Sequence, residues 1–224
     1  MSSALNFKLL KRLERLSTAG YQLPQQASEV LEKTIRENPT FAQPLLSLAA
    51  VHVQQRELAA AAAAYQKVLA IEPDNVEALR GMGDVALIQG DLDAAGRQYA
   101  RILEFEDSDA GALSKLGVVR MRTGRPDEAI ALLRKAVDRD PKNAEALLYL
   151  AGALAATGHP AEAVPFFERA LAAGPRTTMA LNGLGLTRLA LGDRAAAAAA
   201  LRESLRLDPD QPDVAGRLRD LSRP

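Results

Sequence analysis

The chain has no cysteine and no tryptophan, and aromatic residues make up only 4% of its 224 positions. The missing thiols exclude disulfides, thiolate zinc sites and cysteine nucleophiles, and they leave the redox compartment open. Few aromatics beside much alanine and leucine disfavour a β-sandwich and suit helix packed on helix. An excess of one charge is lacking too: 28 Lys and Arg balance 28 Asp and Glu. A general nucleic-acid binder carries a basic surplus, so no nucleic-acid partner is expected. No apolar run approaches the roughly 18 residues of a membrane-spanning helix, so none is expected. The start, MSSALNFKLLKRLERL, alternates basic and apolar residues without an uninterrupted apolar core. That makes a poor secretory signal, and the expected location is cytoplasmic.

What the chain holds instead is a period. Pro39, Pro73, Pro141, Pro175 and Pro209 stand on one 34-residue grid, with Asp107 at the remaining node. Leucine recurs at Leu45, Leu79, Leu113, Leu147 and Leu181, and alanine at Ala61, Ala95, Ala129, Ala163 and Ala197. A small residue recurs at Ala49, Gly83, Gly117, Ala151 and Gly185. Glycine recurs at Gly90, Gly124, Gly158 and Gly192, with Arg56 as the exception.

Each phased position has a physical reason in a pair of antiparallel helices. The small residue of the first helix and the alanine of the second mark a crossing where only a hydrogen or a methyl fits. Tyr65, Tyr99, Leu133, Phe167 and Leu201 fill the space between hairpins. The recurring glycine ends the first helix in a left-handed conformation. Pro126 and Pro160 suit the first position of the second helix, with Asp127, Glu128 and Glu162 favoured in its first turn. The DP or EP step ends that helix, and Asn75, Asp109, Asn143 and Thr177 are the expected N-caps of the next.

The pattern resembles the tetratricopeptide repeat family. The resemblance covers five full repeats at 42–75, 76–109, 110–143, 144–177 and 178–211. Upstream, Ala27 and Pro39 keep the phase of a degenerate unit over 1–41, with ALNFKLLKRLERL as its first helix. Downstream, 212–224 reads as a capping helix with Val214, Leu218 and Leu221 on one face. The resemblance implies an all-α fold, a right-handed superhelical solenoid of antiparallel helix pairs. Its concave groove, lined by first helices, is implied to take a peptide or protein partner. One departure is Pro165, inside a second helix, where it removes a backbone bond and costs roughly 3 kcal/mol unless the helix kinks. The alanine runs at 59–64 and 195–200 carry little packing information and read as good helix formers.

The sequence offers little chemistry. His52 and His159 lie in different repeats with no carboxylate at ligand spacing, and packing or solvent exposure is their expected role. In GLGLTRLALG, Gly183 and Gly185 fall inside an expected helix, so the strand-then-helix context of a dinucleotide loop is missing. The acidic EFEDSDA lacks the spacing and central glycine of a calcium loop, and reads as a solvated helix end. No catalytic residue, metal or cofactor is expected.

The family's concave positions give an expected groove. They are Leu46 and Ala50; Arg80, Asp84 and Leu87; Lys115, Val118, Met121 and Arg122; Leu148 and Tyr149; Asn182 and Leu186. Gly152, Met179 and Gly183 stand at further positions of the same faces. The Lys and Asn carboxylate clamp of chaperone-binding members is not recognisable at Leu46, Ala50 and Gly81. The recurring Asn of O-linked N-acetylglucosamine transferases is absent as well, its position reading Ser47, Gly81, Lys115, Tyr149 and Gly183. What remains is an apolar floor widened by glycines, with a basic spot at Arg80, Lys115 and Arg122. That suits an amphipathic helix or apolar peptide bearing an acidic residue.

The leading reading is a non-enzymatic interaction scaffold. One alternative is the substrate-recruiting region of a larger enzyme, of glycosyltransferase or sulfotransferase type. Another is a membrane-surface adaptor that uses Lys8, Lys11, Arg12 and Arg15 opposite Leu5, Leu9, Leu13 and Leu16. Self-association through the same apolar surface is the remaining one.

Overall fold

The computed structural model describes residues 23–221, all of them in helices or the turns between helices, with no strand. The basic N-terminal segment, expected as a first packing helix or a membrane-surface helix, lies outside the described residues, as do positions 222–224 of the expected capping segment. The helices are α1 (Leu23–Glu37), α2 (Ala42–Gln54), α3 (Leu58–Ile71), α4 (Val76–Gln89), α5 (Leu92–Phe105) and α6 (Ala110–Arg122). They continue with α7 (Pro126–Arg139), α8 (Ala144–Ala156), α9 (Pro160–Ala173), α10 (Thr178–Ala190), α11 (Arg194–Leu207) and α12 (Pro212–Leu221). From α2 to α12, every other helix starts 34 residues after its counterpart: Ala42, Val76, Ala110, Ala144, Thr178, Pro212.

Local chemistry sets these boundaries. The side chains of Asn75, Asp109, Asn143 and Thr177 accept hydrogen bonds from the backbone N–H three residues on, capping α4, α6, α8 and α10. Gly90, Gly124, Gly158 and Gly192 take φ of +75 to +84°, the left-handed turn that reverses the chain between paired helices. Arg56 adopts φ +61° in the same turn of the first hairpin, a conformation that costs a side chain free energy. Pro126 and Pro160 open α7 and α9. Pro165 lies exposed inside α9, and the helix runs past it without a break from Pro160 to Ala173. Both alanine runs are helical, in α3 and α11.

The chain divides into two compact units, residues 1–102 and 103–224. In the first, Leu45, Ala49, Ala61, Tyr65 and Val68 form the core with Ala78 and Val85 of α4. In the second, Leu133, Leu147, Leu150, Leu154 and Phe167 anchor a larger core that reaches Leu181 and Leu184 of α10. The crossing positions are packed to contact. A Cβ added at Gly83 would stand 2.7 Å from the Tyr99 ring, and one at Gly117 or Gly185 would stand 2.7 Å from Leu133 or Leu201. The alanines opposite, Ala61, Ala95, Ala129, Ala163 and Ala197, have no exposed surface. A hydrogen or a methyl is what these crossings admit, and at the three glycines a larger side chain must displace a neighbour.

Candidate functional site

Within the second unit, the faces of α6, α8 and α10 bound an open cleft of about 280 Å³. Val118, Met121 and Arg122 come from α6, Leu148, Tyr149, Gly152 and Ala153 from α8, and Met179 and Gly183 from α10. Leu133 of α7 and Phe167 of α9, both buried, form its floor. Two glycines create the space for different reasons. Gly183 lies directly over the Phe167 ring, where a Cβ would come within 2.5 Å of Cε1, so glycine is needed to admit the ring. Gly152 has no such neighbour; a Cβ there would meet nothing within 4 Å and would point into open space.

Of the groove residues expected from the sequence, Val118, Met121, Arg122, Leu148 and Tyr149 meet at this cleft. Leu186 is exposed farther along α10, continuing the face of Met179 and Gly183 at helical spacing. Asn182 is drawn away from such a role. Its Nδ2 donates to Gln211 Oε1 at 2.7 Å, and Gln211 in turn donates to the backbone oxygens of Ser204 and Asp208. That network fixes the entry to α12.

Leu46, Ala50, Arg80, Asp84 and Leu87 belong to the first unit. Leu46 was expected on the groove surface, but it is 4% exposed and part of the core. The family's pattern assigns this position to the groove, whereas the side chain packs inward with Leu45 and Ala49. Ala50 is exposed, and Arg80 and Leu87 are half-buried. Asp84 accepts a 2.7 Å hydrogen bond from the Tyr99 hydroxyl. The neighbouring Tyr65 phenol has its pKa raised above the usual value near 10, first by burial and then by Glu77 and Asp84.

The expected basic spot is smaller than the sequence suggests. Lys115 Nζ lies 2.9 Å from Glu145 Oε1, so its charge is met within the protein. Arg120 pairs with Glu128, and Arg188 with Glu168 and Asp193. Arg122 is exposed at the rim of the cleft, and no carboxylate among the described residues pairs with it. Pairings across thirty positions of sequence are invisible to a reading of one helix at a time.

The histidines also find their surroundings. His52 Nδ1 lies 2.7 Å from Glu57 Oε2, a carboxylate partner the sequence reading did not foresee, brought round by the left-handed turn at Arg56. His159 is exposed ahead of α9, near Thr157. Asp109 of the acidic EFEDSDA caps α6. No group of three metal-ligating side chains occurs among the described residues, and no described helix is long and apolar enough to cross a membrane.

Comparison with known proteins follows the same lines as the geometry. A profile of the tetratricopeptide repeat matches residues 22–75, 46–111, 114–176 and 155–212. Comparison with curated proteins finds no match. Among solved structures, the chain is similar to PilW, a widely conserved type IV pilus biogenesis factor. The TM-score is 0.81 at 18% identity, over 97% of this chain and 100% of that one. It is similar to PilF of Pseudomonas aeruginosa, with a TM-score of 0.78 at 19% identity, over 97% and 95% of the two chains. It is also similar to YrrB, a TPR protein with an unusual peptide-binding site. There the TM-score is 0.64 at 24% identity, over 86% and 99%. Likeness at these identities is a likeness of fold.

Proposed function

The chain belongs to the tetratricopeptide repeat family, whose arrays are protein–protein interaction scaffolds, and from that premise we propose that it holds a peptide segment of a partner protein in the cleft between α6, α8 and α10. The observation that carries this reading is the cleft itself. Exposed apolar surface of this kind, rimmed by a charged residue, favours burial against a partner. Each Å² of apolar surface removed from water contributes about 25 cal/mol, and that gain is set against the freedom lost on association. The lining brings no nucleophile, no general base and no metal-ligand set, and the role proposed is capture without chemistry.

Gly152→Leu is the test. The added Cβ meets no neighbour within 4 Å, and leucine favours a helix over glycine by nearly 1 kcal/mol, so the fold is expected to be retained. Affinity capture from a lysate of the source cells, wild type beside Gly152→Leu, is expected to yield a protein held by the first and lost by the second. Equal capture by both chains, with matching circular dichroism, overturns the assignment of the cleft.

A further inference from the structure

The chemistry of the lining also restricts the shape of the occupant, given the reading of the cleft as a peptide site. We infer that the segment it takes is an amphipathic α-helix, with bulky apolar residues at helical spacing and a carboxylate on the flank that meets Arg122, and not an extended peptide.

The first reason is hydrogen bonding. An extended segment carries one N–H and one C=O per residue that need partners when water is removed. Sites for such segments supply them from a sheet edge or from amide side chains. Here the walls are three α-helices, whose backbone groups, away from the helix ends, are already used within each helix. Only Arg122 and Tyr149 bring polar side-chain atoms to the lining. Asn182, the nearest amide by position on these faces, is bonded to Gln211. An extended chain laid on this floor would leave several backbone groups unpaired. A helix satisfies its own and presents only side chains.

The second reason is size. About 280 Å³ falls below the usual range for sites that enclose a whole small molecule. It accommodates a few side chains inserted from above. Apolar residues at i, i+3 or i+4, and i+7 place such side chains along one line. Met121, Leu148 and Met179 offer flexible, polarisable walls that adapt to the inserted groups.

The third reason is charge. Lys115 is met by Glu145, whereas Arg122 is exposed with no carboxylate among the described residues at hand. A carboxylate on the bound helix supplies that partner through a charge-assisted hydrogen bond.

The experiment uses two phage-displayed libraries against the full chain. One presents a randomised face on a stable single helix; the other presents unconstrained linear 12-mers. Both are counter-selected on Gly152→Leu. Expected are clones from the helical library that bind wild type, fail on Gly152→Leu, and share an acidic position. For those clones Arg122→Glu should weaken binding by about tenfold or more, the scale of one charge contact. Gly152-sensitive clones coming only from the linear library, with helix-breaking prolines tolerated, would overturn the helical inference and leave the peptide-binding reading standing. If neither library yields Gly152-sensitive clones, the cleft reading itself falls.

Discussion

The two units use the same repeat and differ at one register. The residue that follows the crossing position is Ala50 or Asp84 in the first unit, and Val118, Gly152 or Leu186 in the second. Asp84 itself is held in polar contacts: Tyr99 donates to it, and together with Glu77 it adds to the raised pKa of Tyr65. Around Gly152 the surface is an open apolar cleft. The ring beneath is nevertheless handled identically, Tyr65 under Gly81 and Phe167 under Gly183, each with a glycine that a Cβ could not replace without a contact of 2.5 Å or less. Positions that hold the hairpins together are thus nearly constant, and positions that face out are free to vary.

That contrast can be broken at the ring–glycine junction. Gly183→Tyr drives a side chain into Phe167 and is expected to cost about 1–3 kcal/mol in urea unfolding. The corresponding junction one repeat earlier pairs Leu133 with Tyr149, so adding Phe167→Leu should restore most of the loss, a coupling that a double-mutant cycle measures. Additive costs would show that the two junctions are not equivalent.

A smaller effect is expected at the first turn. Arg56→Gly gives the first hairpin the residue that Gly90, Gly124, Gly158 and Gly192 supply elsewhere. Relief of the left-handed penalty, partly offset by the freer unfolded chain, should raise stability by about 0.5–1 kcal/mol. A lower stability would mean that the Arg56 side chain contributes more than its backbone costs.

The smallest effect is confined to alkaline pH. Tyr65 has a raised pKa in the folded chain, so the native state favours the protonated phenol. Its contribution is fully present below the ordinary tyrosine value near 10 and is lost as pH climbs through the folded value. Tyr65→Phe should leave stability at neutral pH nearly unchanged and flatten its decline above pH 10. A decline as steep as that of wild type would assign the alkaline limb to other groups.

Most of the fold is legible in the sequence because its determinants are local and repeated. A cap at Asn143, a left-handed glycine at Gly158 and a proline at Pro160 each act within a few residues, and the 34-residue grid shows which of them correspond. The cleft is partly legible because Val118, Met121, Leu148 and Tyr149 stand at positions that the resemblance to the tetratricopeptide repeat assigns to the concave face. Its floor is less so, because Leu133 and Phe167 read as core residues and are also its base. Leu46 shows the converse, a surface phase taken inward by packing. The charges are the least legible, since the fate of Lys115 depends on a glutamate thirty residues away and on two long side chains reaching one another.

The even spacing of the helix starts has a consequence for descent. Residues 144–177 contain Leu148, Tyr149, Gly152, Ala153 and Phe167, the α8 wall of the cleft and part of its floor, in one uninterrupted stretch. A genetic exchange that duplicates, removes or swaps one such stretch leaves every cap, turn and crossing on either side in phase. One wall of the cleft can therefore be inherited, lost or traded as a single paragraph of sequence, while the grammar around it stays intact.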